Sequence, residues 1–233
     1  MPLDSRTVSE SLETYVGSLL AESSFFSDLS AGHADPEHVR DVFGQFYLWR
    51  NCFHRWFGLC VAKSAPFGTG ADVPAVLGEL IACLAEEITG NHHGMARSFL
   101  AAVGIADPAH VVPLPVTGSY AESFLCCYFS AEHSGDEALA ALAGRELVGP
   151  RRNELIVRAL RDHYGVASGL EFFTVHTDLE QAHFQSLWEA LVHGTTVNPK
   201  KLIEAARLEI WEHITFWDDV YAAIAGAENR LVS

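Results

Sequence analysis

At 233 residues the chain is long enough for one well-buried domain and short for two, and 49% hydrophobic residues with a mean hydropathy of +0.12 argue against disorder. Fifteen lysines and arginines stand against 30 aspartates and glutamates, a formal charge of −15. No basic patch is present to follow a phosphate backbone, so nucleic acid and anionic membrane are excluded as expected partners.

Helical spacing runs along almost the whole chain. Residues 8–29 carry Val8, Leu12, Val16, Leu19, Leu20 and Phe26 at intervals of mainly three to four. Asp35-Pro36 is a helix start, with an acceptor side chain ahead of proline at the first helical position. An aromatic-rich helix is predicted from there to about Lys63, ended by Pro66 and Gly68. Asp72-Val73-Pro74 opens a third helix, and Met95, Phe99 and Leu100 continue its spacing past Gly90-Asn91, so it is predicted to run on, straight or kinked, to Gly104.

Three prolines make 107–116 an extended connector. Further helices are predicted from about Ser119, over Asp136 to Val148 with a stop at Gly149-Pro150, over Asn153 to Tyr164, over Leu170 to Val192, and over 200–225 after Asn198-Pro199. The expectation is an all-α bundle of about seven to nine helices forming a single domain over 1–233.

No apolar run approaches the roughly 20 residues of a membrane span. The N-terminus lacks the positive start and apolar core of a secretion signal. Five cysteines form no disulfide-scaffold pattern, as expected of thiols in a reducing cytoplasm.

The segment from His176 to His183 carries the clearest chemistry. His176, Glu180 and His183 recur at i, i+4 and i+7, which places them on one helical face. Glu86 and His93 are seven apart and share a face; Glu87 or His92 is the alternative if Gly90 distorts the helix. Glu146 lies on the same face as Leu139 and Leu142, where an unpaired carboxylate costs several kcal/mol and a metal would compensate it. Arg145 or Arg151 is the ordinary salt-bridge alternative. Three carboxylates and three imidazoles form a harder donor set than structural zinc uses. They suit two carboxylate-bridged Fe(II) ions with open positions, with O2 as co-substrate. Tyr47, Arg50, His54, Tyr120 and Arg97 are candidates for orienting a polar or carboxylate end of a substrate.

The passages Leu84–His93, Ala143–Pro150, His163–Val166 and Glu171–His183 together resemble the heme-oxygenase-like diiron oxidases. Those belong to a superfamily with heme oxygenases, TenA-type thiaminases and PqqC cofactor-synthesis oxidases. The resemblance implies a heme-oxygenase-like bundle whose metal ligands fall on Glu86, His93, Glu146, His176, Glu180 and His183, the doubled Glu86-Glu87 and His92-His93 leaving that register open by one residue. It also implies an O2-dependent oxidase or oxygenase acting on a small amino-acid- or fatty-acid-like metabolite, by oxidative carbon–carbon cleavage or N-oxygenation. An external electron source and a homodimer go with such relatives. Metal-free TenA- or PqqC-like relatives imply a different enzyme, with Cys126 or Cys127 as a nucleophile in the TenA case. A non-catalytic helical interaction protein is the third reading, in which residues 176, 180 and 183 face solvent.

Overall fold

The structure is a computed structural model that describes residues 5–64, 73–195 and 197–231. It is helical throughout, with no strand among the described residues: α1 Ser5–Glu22, α2 Ser24–Ala31, α3 Pro36–Arg50, α4 His54–Ser64, α5 Val73–Thr89, α6 His92–Ala102, α7 Pro115–Tyr128, α8 Gly135–His163, α9 Glu171–Gly194 and α10 Pro199–Leu231, with a 3-10 turn at Pro108–His110. Pro66, Gly68 and Asp72, expected to end one helix and open the next, lie outside the described residues.

Three breaks interrupt helices that the apolar spacing runs together. Ser23 separates α1 from α2; its hydroxyl accepts from Phe26 N–H and donates to Asp218 on α10, which also accepts from Phe25 N–H at 2.9 Å. A long-range carboxylate thus satisfies the free donors of a helix start. Between α3 and α4, Cys52 N–H donates to Trp49 O and Phe53 N–H to Arg50 O, a tight turn that re-phases the aromatic face so that Phe53, Trp56 and Phe57 remain buried. The third break, at Gly90-Asn91, leaves Asn91 in the left-handed region at φ 57°, unusual for a residue other than glycine. It restarts the helix at His92 and resets which side chains of α6 face inward.

In the opposite sense, the stop expected at Gly149-Pro150 is absent. α8 runs 29 residues straight through it, although Pro150 has no N–H to give the Glu146 carbonyl. A proline inside a helix costs about 3 kcal/mol, and α8 offsets this by packing along both α9 and α10. A capping box fixes its start: Glu137 N–H donates to the Ser134 hydroxyl at 3.1 Å, and Ser134 N–H donates to the Glu137 carboxylate at 2.8 Å.

The aromatic residues of α3 and α4 form the core beside this pair. Trp217 of α10 stacks on Phe46 at 4.8 Å and on Phe25 at 5.6 Å; Phe43 meets it edge to face, and Phe99 and Phe173 pack edge to face on Phe43 and on each other.

The crossing of α8 and α10 depends on Gly144, where a Cβ would stand 2.6 Å from the Ala206 carbonyl oxygen and 2.8 Å from its Cα. Alanine would gain about 1 kcal/mol of helix propensity. Forcing two backbones apart costs about 1–3 kcal/mol, so Gly144→Ala is expected to lower Tm by several degrees in calorimetry; an unchanged or higher Tm would show that the crossing has slack.

Candidate metal centre

Four helices bring acids and imidazoles together, all of them in the interior but Glu86, whose side chain is half exposed. α5 carries Glu86 and Glu87 on its last turn, α6 opens with His92, α8 presents Glu146, and α9 presents His176, Glu180 and His183. The α9 residues lie on one buried face, at 3%, 3% and 4% exposure. These three side chains therefore do not face solvent, whereas the reading of a non-catalytic interaction protein requires that they do.

Glu87, His92 and His176 form the tightest group. One ligand atom from each lies within 4.8 Å of the others. His92 Nδ1 is 3.2 Å from the Glu87 carboxylate and His176 Nε2 is 3.6 Å from it. Although both nitrogens are buried, neither makes a hydrogen bond of acceptable geometry. His176 Nδ1 stands 2.5 Å from the Phe172 carbonyl, an acceptor only, so the proton sits on Nδ1 and the Nε2 lone pair faces Glu87. A lone pair aimed at a carboxylate is repulsive, and a cation between them makes it attractive. This donor set fits a metal ion, with His176 held as histidine ligands commonly are, through its second nitrogen.

Burial alone would raise the Glu87 carboxyl. Without a metal, the hydrogen bonds that His176 and His92 donate when those nitrogens are protonated, with the charge of His176 and Arg50, outweigh it and hold that group far below the usual carboxylate range; an ion takes the place of those protons. Arg50 reaches Glu87 directly at 3.1 Å.

His183 lies on the far side, its Nε2 3.4 Å from Glu86 and its Nδ1 3.4 Å from Glu146. Burial would lower its pKa, but Cys83 and Glu146 outweigh burial and push it up to about 11. The two acids meet opposite nitrogens of one ring, so Glu86, Glu146 and His183 do not converge on one point in this arrangement. Glu146 also accepts from Arg145 at 3.0 Å. Glu180 accepts from Arg145, Arg152 and Asn153. The charges of the two arginines outweigh burial and lower its pKa.

The doubled motif is therefore divided. Glu87 and His92, the alternatives of the sequence, meet His176. Glu86 reaches His183, and His93 is exposed, its ring 5.9 Å from that of Tyr47. The break at Asn91 is the cause, because it turns the first residue of α6 inward where a continuous helix would have turned the second.

A cavity of about 380 Å3 opens beside Glu87, lined by Arg50, Phe53, His54, Phe57, Leu84 and His93 among others. Arg50 and His54 are thus beside the candidate metal site. Tyr120 is not; it belongs to a separate buried network, donating to Glu209 at 3.1 Å and lying 2.8 Å from His213. Arg97 is exposed. A larger groove of about 690 Å3, lined by Gly17, Phe26, Arg151 and Arg158, lies apart from all of these acids and imidazoles.

Cys126 is exposed and Cys127 half-buried on α7, and neither lines the cavity beside Glu87. Cys127 Sγ lies 4.0 Å from His133, but burial and the charges of Glu212 and Glu209 raise its thiol pKa, the wrong direction for a nucleophile.

Sequence reasoning did not find Arg152, Glu209 and His213. The signal was available: Glu209 and His213 lie seven residues after Leu202 and Ala206, on the buried stripe of α10.

An all-helical bundle with acids and imidazoles gathered between helices at a buried centre describes a class of helical redox and metal proteins. Residues 40–218 match the family described as "Iron-containing redox enzyme", and the chain belongs to that family. Solved structures share the fold. A domain of unknown function with a heme oxygenase-like fold from Shewanella denitrificans OS217 aligns with TM-score 0.76 at 18% identity, over 97% of this chain and 95% of that one. A CADD-like protein of unknown function from Nostoc punctiforme PCC 73102 aligns with TM-score 0.71 at 18% identity, over 97% of both chains. A TenA homologue from P. horikoshii OT3 gives 0.65 at 17% identity, over 93% and 96%. The fold is thus heme-oxygenase-like. The comparison with curated proteins gave no match. Among the described residues no helix is long and apolar enough to cross a membrane.

Titration with Co(II), followed by its visible absorption, separates the two adjacent glutamates. Glu87→Gln is expected to weaken the tighter-binding ion by roughly a hundredfold or more, beyond the ten- to hundredfold typical of an outer partner. Glu86→Gln should weaken that ion about tenfold at most, the low end for a residue outside the ligand shell, since Glu86 meets His183 and none of the three ligands.

Proposed function

We propose that the protein is a non-heme iron, O2-dependent oxidase or oxygenase of a small metabolite, with its first iron held by Glu87, His92 and His176. The observation that carries the reading is the convergence of those buried, unpartnered nitrogens on an ionised carboxylate at the wall of a cavity. Membership of a family of iron-containing redox enzymes supports iron over zinc. The two-iron form adds Glu86, Glu146 and His183 as the donors nearest to a second ion; it requires His183 to give up its place between the two acids.

Bound as Fe(II), the metal supplies electrons to reduce O2; two irons and a two-electron oxidation of substrate provide the four that reach water, and an external donor returns the iron to Fe(II). The chain's own residues select and shield the substrate. Arg50, His54 and His93 give the cavity a basic side suited to a carboxylate. Phe53, Phe57 and Leu84 line its apolar side and exclude water from the bound substrate. This basic and apolar pairing favours an amino-acid- or fatty-acid-like molecule as the class, with carbon–carbon cleavage or N-oxygenation as the reaction.

Metal analysis of protein produced with iron, paired with an oxygen electrode, is the direct test. Two irons per chain and oxygen uptake dependent on a small carboxylate are expected. One iron with the same uptake would discard the second ion. Absence of both iron and uptake would sink the proposal in favour of a metal-free enzyme. In protein loaded to the parent iron content, Arg50→Gln should raise KM for the carboxylate substrate about tenfold or more, as loss of a charge-assisted contact does; because Arg50 also meets Glu87, iron affinity should fall as well, about ten- to hundredfold.

A further inference from the structure

Glu180 occupies the middle of the His-x3-Glu-x2-His spacing, the position where that pattern provides an oxygen ligand. Its surroundings give it another task. Oε1 accepts from Arg145 Nη1 at 3.3 Å and from Arg152 Nη2 at 3.3 Å; Oε2 accepts from Arg152 Nη2 at 3.2 Å and from Asn153 Nδ2 at 3.0 Å. A carboxylate offers about four lone-pair directions, and here each oxygen already meets two donors.

None of these donors is free to leave. Arg152 is 1% exposed, and its remaining donors bind the Asn153 side-chain oxygen at 2.8 and 3.1 Å and His213 Nε2 at 2.6 Å. A guanidinium only donates, so His213 Nε2 carries the lone pair and Nδ1 carries the proton. That proton faces the Tyr120 oxygen at 2.8 Å, and the Tyr120 hydroxyl in turn donates to Glu209 at 3.1 Å. The hydrogen bonds thus run in one consistent direction from α9 through α8 and α10 to α7. Arg145 is held separately, its guanidinium over the rings of Phe53 and Trp49 at 4.0 and 4.9 Å. Gly149 leaves the room for this: a Cβ there would fall 1.5 Å from Glu180 Oε2.

We infer that Glu180 is not a metal ligand in this protein but the fixed counter-ion of Arg145 and Arg152, with Arg152 locked in place by Asn153 and His213. The inference rests on the metal site at Glu87, His92 and His176 and removes one acid from the ligand set that the sequence spacing implies. It leaves a buried cationic wall beside the metal where the pattern would have placed an anion.

Co(II) titration of the whole protein tests this, because the two assignments predict opposite signs. With Glu180 as counter-ion, Arg152→Gln releases its oxygens and removes a buried cation, so Co(II) should bind several-fold tighter and the visible band should shift as an oxygen joins the ion. With Glu180 as a ligand oriented by Arg152, the same change should weaken binding about ten- to hundredfold, and that result overturns the inference. Glu180→Gln should keep Co(II) affinity within about threefold and the parent band shape, since it alters no ligand, while Tm falls; a loss matching that of Glu87→Gln overturns it. If the parent protein binds no Co(II) at all, the metal-site reading itself fails, and that outcome is distinct from either result for Glu180. Should Glu180→Gln not fold, Arg152→Gln carries the test through its sign.

Discussion

The interior of this protein is organised by compensation of buried charge between α8 and its two neighbours. Arg145 and Arg152 are both almost completely buried, at 3% and 1% exposure. Taking either guanidinium from water costs several kcal/mol, and leaving one without its partner costs about 3–5 kcal/mol. Glu146 and Glu180 provide the opposite charge, while His213 and Asn153 accept from Arg152. These pairings connect α8 to α9 and α10, and the spacing between the helices is set by glycine: Gly149 admits the Glu180 carboxylate and Gly144 admits the backbone of α10. A helix this constrained on two sides can carry Pro150 through its middle.

The same constraint places the candidate metal site. With α9 fixed against α8, His176 and His183 face inward two turns apart; α5 supplies an acid to each end of the site, and α6, across the Asn91 break, adds His92 to the first. One end collects Glu87, His92 and His176 with nitrogen lone pairs unspent. The other collects Glu86, Glu146 and a His183 whose pKa, near 11, makes it a cation among acids. Seen this way, the overall acidity of the chain matters little for the site. What matters is how the few buried cations are distributed: a histidinium and two arginines satisfy one set of carboxylates, and Glu87 is left facing nitrogens that offer lone pairs, with only the edge of Arg50 to meet it.

In the proposed function, the cavity joins this electrostatic arrangement to selection of a small molecule. It opens where α4 and α5 meet, and its walls divide into aromatic rings from α4 and its preceding turn and basic side chains from α3, α4 and α6. The tight turn at Cys52-Phe53 therefore shapes the cavity as well as the fold, since a straight helix from α3 into α4 would present different residues to that space.

Much of this was legible in the sequence, because helical periodicity is a local property. The apolar spacing of α9 and α10, the Asp35-Pro36 start and the common face of His176, Glu180 and His183 follow from 100° per residue and need no tertiary partner. The inward position of Glu146 was legible for the same reason, from leucines on its own face. The break at Asn91, the passage of α8 through Pro150 and the choice of Glu87 and His92 over their neighbours were not. Each is decided by what another helix demands: a backbone in the left-handed region at one junction, and burial against two helices strong enough to override proline at the other. The sequence by itself determined that acids and imidazoles would gather inside a helical bundle. Only the tertiary structure decided which of those acids would meet imidazole lone pairs and which would be taken by arginine, because a carboxylate's partners are chosen by distance through space and not by spacing along the chain.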